Sequence, residues 1–130
     1  MINDLRTSLS ALLPLRIDGL EFNDPVVVLI GANWSLSIVC PWRLTRGGAL
    51  VASIEDPSAE AHLRDVVGGA ITDVIPQSAG GASPDPVFVF ADGARLELFS
   101  DTDLDPWVMR LPDKTFVGAA SRPNAVDPGS

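Results

Sequence analysis

One ordered pattern occurs twice in this chain, and it constrains the fold more than any single residue. "DPVVVLIGANWSLSIVCPWRL" begins at Asp24, and "DPVFVFADGARLELFSDTDLDPWVMRL" begins at Asp85. Each passes from Asp-Pro to a β-branched and aromatic run, a turn, an alternating run and then Pro-Trp. Asp24-Pro25 answers Asp85-Pro86, Val26 and Val28 answer Val87 and Val89, and Pro41-Trp42 answers Pro106-Trp107. Apolar runs of five to seven residues bounded by turn residues read as strands. Adjacent runs with a short Gly-containing turn read as hairpins.

The helices are fewer and shorter. "NDLRTSLSALL" places Leu5, Leu9, Leu12 and Leu13 on one helical stripe, with Asn3 or Asp4 as cap and Pro14 as stop. "DPSAEAHLRDVVG" is a second helix, with Asp56 or Ser58 at its start and Gly68 or Gly69 at its end. Between them, "LRIDGLEF" alternates and bends at Gly19, and "DPVVVLI" reads as a strand covered on both faces or central in a sheet. "WSLSIVC" turns Trp34, Leu36 and Ile38 to one side, and "PWRLTRGGALVASIE" makes a hairpin around Gly47 and Gly48. "AITDVIP" is a strand, "QSAGGASPDP" a flexible loop, "VFVFADGARLELF" a hairpin turning at Asp92-Gly93, and "PWVMRLPDKTFVG" one or two short strands.

The expected fold is α+β. Two α-β-β-β pseudo-repeats form an antiparallel sheet with two helices packed on one face. The units span about residues 3–55 and 56–118 of a single domain over 1–118, and 119–130 is a polar, disordered tail.

Charge and composition narrow the function. The 130 residues carry a formal charge of −8, with 46% hydrophobic and 20% charged residues, a globular composition. Nucleic-acid binding needs clustered cations and anionic membranes repel such a chain, so neither is an expected partner. The one cysteine, Cys40, cannot form an intrachain disulfide, which suits the reducing cytoplasm. The N-terminus lacks a basic n-region, and no apolar run approaches a membrane span.

Catalytic and metal signatures are incomplete. Asp101, Asp103 and Asp105 match the first half of a Ca²⁺ loop, but Pro106 replaces its Gly and Pro112 its Glu. A zinc site or a nucleophilic triad would have to use His62, the one histidine, and Cys40, which ends an apolar strand. The pairs Gly47-Gly48, Gly68-Gly69 and Gly80-Gly81 belong to no phosphate-binding loop. A glycosidase-like carboxylate pair has no evident cleft and no Tyr to stack on sugar. No enzyme activity, metal or cofactor is therefore expected.

Trp34 reads as core. Trp42 and Trp107 follow prolines at equivalent places and are followed by Arg43-Leu44 and Arg110-Leu111. They either cover the ends of the sheet or, for Trp107 beside the acidic insertion, anchor a partner. The expected contact set is Asp101, Asp103, Asp105, Trp107 and Arg110.

Trp34-Ser-Leu, Pro41-Trp42-Arg43-Leu44, Phe90-Ala-Asp-Gly93 with Leu96-Glu-Leu98, and Trp107 carry a family likeness over Leu15 to Gly118. In them the chain resembles a group of small proteins, common in actinobacteria, catalogued as domains of unknown function. That resemblance implies no catalytic residues. Proteins of this size and composition also recur as immunity proteins beside polymorphic toxins. The expected function is thus a non-enzymatic acidic protein-binding domain, most concretely a cytoplasmic immunity protein or inhibitor of a basic toxin. The alternative is a homodimeric structural module.

Overall fold

The computed structural model describes residues 2–23, 25–76, 85–99, 106–112 and 114–118. Its secondary structure runs α1 (Ile2–Ser10), β1 (Leu15–Arg16), β2 (Gly19–Asn23), β3 (Val26–Ile30), β4 (Ser35–Ile38), β5 (Trp42–Arg46) and β6 (Ala49–Ser53). It continues α2 (Ala59–Arg64), β7 (Ala70–Pro76), β8 (Pro86–Phe90), β9 (Ala94–Leu98), β10 (Trp107–Arg110) and β11 (Thr115–Val117). No helix among the described residues is long and apolar enough to cross a membrane.

The strands form two antiparallel sheets rather than one. The six-stranded sheet has the order β1-β7-β8-β9-β5-β6, and the five-stranded sheet β11-β10-β4-β3-β2. The fold is mostly β with two small helices, which corrects the single sheet with both helices on one face. Helix α1 packs on β7, while α2 touches β6 of one sheet and β2 of the other. The strands, two to seven residues long, turn one face mainly inward, so a second sheet covers them better than two short helices would.

The two halves exchange strands. From the first half, β2, β3 and β4 continue into β10 and β11 of the second. From the second, β7, β8 and β9 continue into β5 and β6 of the first. The registers match: Trp107 faces Ile38 and Met109 faces Leu36, as Trp42 faces Leu98 and Leu44 faces Leu96.

Pro-Trp marks the crossing between sheets. The amides of Val39 and Cys40 donate to the Pro106 carbonyl at 2.9 and 3.2 Å, and that of Phe99 donates to Pro41 at 2.9 Å. Proline suits the first residue of a strand, where its missing N–H costs no ladder bond.

These registers also refine the repeat. Leu36 faces Leu29 and Leu96 faces Phe88, so Leu29 corresponds to Phe88, two residues out of step with the Asp-Pro alignment. Arg43-Leu44 corresponds to Val108-Met109, not to Arg110-Leu111.

The core draws on both halves: Leu5 and Leu9 of α1, Leu29, Leu36, Leu44, Phe88, Leu96 and all three tryptophans are buried in one cluster. Helix α1 forms where the leucine stripe placed it. Asp56 supports the start of α2 indirectly, accepting from the Ser58 amide and hydroxyl at 2.8 Å each, while Ser58 occupies the cap position without a side-chain cap bond. Strand β3 is not covered on both faces: Val27 and Leu29 are buried, whereas Val26, Val28 and Ile30 are half-buried on the outside. Its outer apolar side chains extend with Val108 and Val117 across the five-stranded sheet, where Val28, Ser37, Val108 and Val117 form one cross-strand row.

Candidate binding face

The outer face of the six-stranded sheet assembles around β5, β6 and β9. Alternation sends Trp42 and Leu44 inward and Arg43 and Thr45 outward; on β9 it buries Leu96 and Leu98 and turns out Arg95 and Glu97. The register sets Arg43 opposite Glu97 and Thr45 opposite Arg95. Nη2 of Arg43 lies 3.0 Å from Oε1 of Glu97, and its guanidinium carbon stands 4.7 Å from the centre of the Phe99 ring. Cross-strand pairing and a cation–π contact hold that head group in place, although exposed pairs of this kind contribute only ~0–1 kcal/mol.

A bulge shapes the rim. Leu44 pairs with Ala52 and Thr45 with Leu50, which leaves Val51 as an extra residue on edge strand β6. A bulge bends its strand and increases the local twist. Here it sets Leu50 on the outer face, 61% exposed and the most exposed large apolar side chain described. Gly47 and Gly48 close the hairpin with φ of +61° and +83°, as a two-residue turn of matching twist requires.

Two hollows flank Leu50 and Arg43. The larger, about 550 Å³, is lined also by Thr45, Gly48, Arg95 and Glu97. The smaller, about 310 Å³, is lined also by Pro41, Trp42, Ile54 and Phe99, with Ser53 and Glu55 at its border. The face therefore has an arginine-bearing side and a more apolar side bordered by Glu55, with Leu50 and Arg43 lining both.

Asp92 ties the far rim. Its Oδ2 accepts from Nη1 of Arg46 at 2.6 Å, and its Oδ1 accepts from the Ala94 amide at 3.0 Å. The Ala94 N–H first, then Arg46, hold the carboxyl below its ordinary range. A depressed folded-state pKa stabilises the fold above the ordinary aspartate pKa and loses that contribution as the pH falls through the depressed value. The Ala94 amide shift should therefore titrate with a midpoint below 3.8. In Arg46→Gln the midpoint should rise but stay depressed; an unmoved midpoint would remove Arg46 as a cause.

The residues expected from the sequence are not gathered here. Asp101, Asp103 and Asp105 lie outside the described residues, as do 77–84 of the long loop and the 119–130 tail. Trp107 is 1% exposed within the core, which corrects its reading as a surface anchor. Arg110 is exposed on the outside of the five-stranded sheet, the opposite side from Trp107, because the strand alternates. His62 is half-buried in α2 and Cys40 is buried. No group of three metal-ligating side chains occurs among the described residues.

Arg95 and Leu50 escaped the sequence reading. "GARLEL" and "RGGAL" contain the signal, since alternation puts Arg95 outward, but nothing local reveals that β9 lies beside β5. No family model, curated protein or solved structure matches this chain. The family resemblance therefore rests on its quoted residues alone.

Proposed function

We propose that this chain is a non-enzymatic protein-binding domain that docks a partner on the outer face of its six-stranded sheet. One observation carries the reading: an exposed Leu50 stands between an arginine-lined hollow and a more apolar one. Exposed apolar residues ringed by arginine and aromatic side chains resemble interface hot spots. The immunity-protein or inhibitor form of the reading, with a basic toxin as partner in the cytoplasm, draws on the net charge of −8, which speeds encounter with a cationic protein. In that form, Asp101, Asp103 and Asp105 steer the approach and the Leu50 face supplies the lasting contact.

Leu50→Asp should fold with unchanged stability, because the side chain is exposed, yet lose partner capture from a native-host extract. Asn at positions 101, 103 and 105 should slow capture without abolishing it. Full capture by Leu50→Asp would move the interface elsewhere.

A homodimeric module is the second reading, favoured by the outer row Val28, Ser37, Val108 and Val117, which only Glu21 at the β2 edge charges. It predicts a size that grows with concentration and that Val117→Glu reduces to the monomer.

A further inference from the structure

The charges on the candidate face are not all paired. Arg43 pairs with Glu97 and Arg46 with Asp92, at 3.0 and 2.6 Å. Arg95, opposite Thr45 in the same hollow, makes no ion pair with any described residue. Its neighbour two residues on, Glu97, is already directed to Arg43. Arg95 is thus left without a carboxylate partner among the described residues, as is Arg110 on the other sheet, while Glu55 borders the smaller hollow.

The fold does not demand this arrangement, and the molecule contains its own control. In the matched registers of the five-stranded sheet, the positions of Arg43, Arg95 and Leu50 are taken by Val108, Ser35 and Thr115. There Arg110 takes the place of Thr45, so the matching patch carries one exposed guanidinium rather than two and no exposed leucine.

We infer that the partner presents an acidic segment here, seating one carboxylate against Arg95 and an adjoining apolar side chain on Leu50 toward Phe99. The inference rests on the docking face proposed above and names what that face recognises. Arginine's planar fork suits a carboxylate, and a charge-assisted bond gains from a hollow that partly excludes water. A polyanion fits poorly, since Glu97, Asp92 and the whole-chain charge repel repeated phosphates. Pro41, Ile54 and Phe99 in the lining of the smaller hollow give the neighbouring side chain an apolar seat, with Glu55 at its border disfavouring a second carboxylate there. The segment lies across the face rather than extending the sheet, because the bulge at Val51 breaks the regular hydrogen-bond register that an added strand would copy.

The test titrates the ¹⁵N-labelled full chain with three probes: N-acetyl-Leu-Glu-amide, N-acetyl-Leu-Gln-amide and inorganic phosphate. The glutamyl probe should shift the amides of Thr45, Leu50, Arg95 and Glu97 saturably. The glutaminyl probe, and the glutamyl probe against Arg95→Gln, should bind about fivefold more weakly, the scale of one exposed charge pair. Equal binding of both peptides, lost in Leu50→Asp, would keep the docking face and overturn the carboxylate. No localised shift with either peptide would overturn both. Phosphate shifting the same amides as strongly as the glutamyl probe would replace a peptide site with a general anion site.

Discussion

Trp107→Ala should destabilise the protein by about 3–5 kcal/mol, the usual range for deleting a fully buried tryptophan. The indole is 1% exposed. Trp107 lies opposite Ile38 of the other half, so its loss opens the seam where the two halves exchange strands. Gly118 lies beside it, and a Cβ at that position would overlap the indole. The Gly118 amide also donates to the Trp107 carbonyl at 2.8 Å, which keeps the last described residue of the chain on the tryptophan. Urea unfolding followed by circular dichroism measures the loss. A change under about 1 kcal/mol, typical of an exposed position, would restore Trp107 as a surface residue.

Gly31→Ala should also be costly, near the upper end of the roughly 1–3 kcal/mol of overpacking. A Cβ on Gly31 would occupy the indole of Trp34. That ring has little freedom to retreat, being 5% exposed and bonded from Nε1 to the Arg16 carbonyl at 3.1 Å. The β8–β9 turn uses its glycine for the opposite reason: Gly93 has φ of +89° and open space around it. Gly31 is a matter of room, and Gly93 one of backbone conformation. If so, Trp34→Leu should recover part of the loss caused by Gly31→Ala, and a double-mutant cycle should show coupling of about 1 kcal/mol or more. Additive losses would mean that Trp34 is not the obstacle.

The fold was partly legible from the sequence. The hairpins at Gly47-Gly48 and Asp92-Gly93, the inward side of Trp34, Leu36 and Ile38, and the helix over Leu5 and Leu9 all follow from local signals. Pro41-Trp42 and Pro106-Trp107 were visible as equivalent, yet their meaning as crossings between sheets was not. A proline followed by an inward tryptophan looks the same whether the next strand pairs with the previous one or leaves for another sheet.

The candidate face was less legible. Arg43 and Arg95 are separated by half the chain's structured length, and only the β5–β9 pairing makes them neighbours. The opposite error befell Trp107 and Arg110. They are three residues apart, an odd spacing that puts them on opposite sides of one strand.

What the sequence by itself determined is orientation: which side chains turn inward, where the chain reverses, and that the whole carries excess negative charge. Those follow from the period-two geometry of a strand and from turn chemistry, both local. Only the tertiary structure decided partnership: that β4 continues into β10, that β9 continues into β5, and that two sheets rather than one sheet and two helices close the core. Strand pairing is a long-range choice made by the total apolar area removed from water, and residues sixty positions apart enter that sum together.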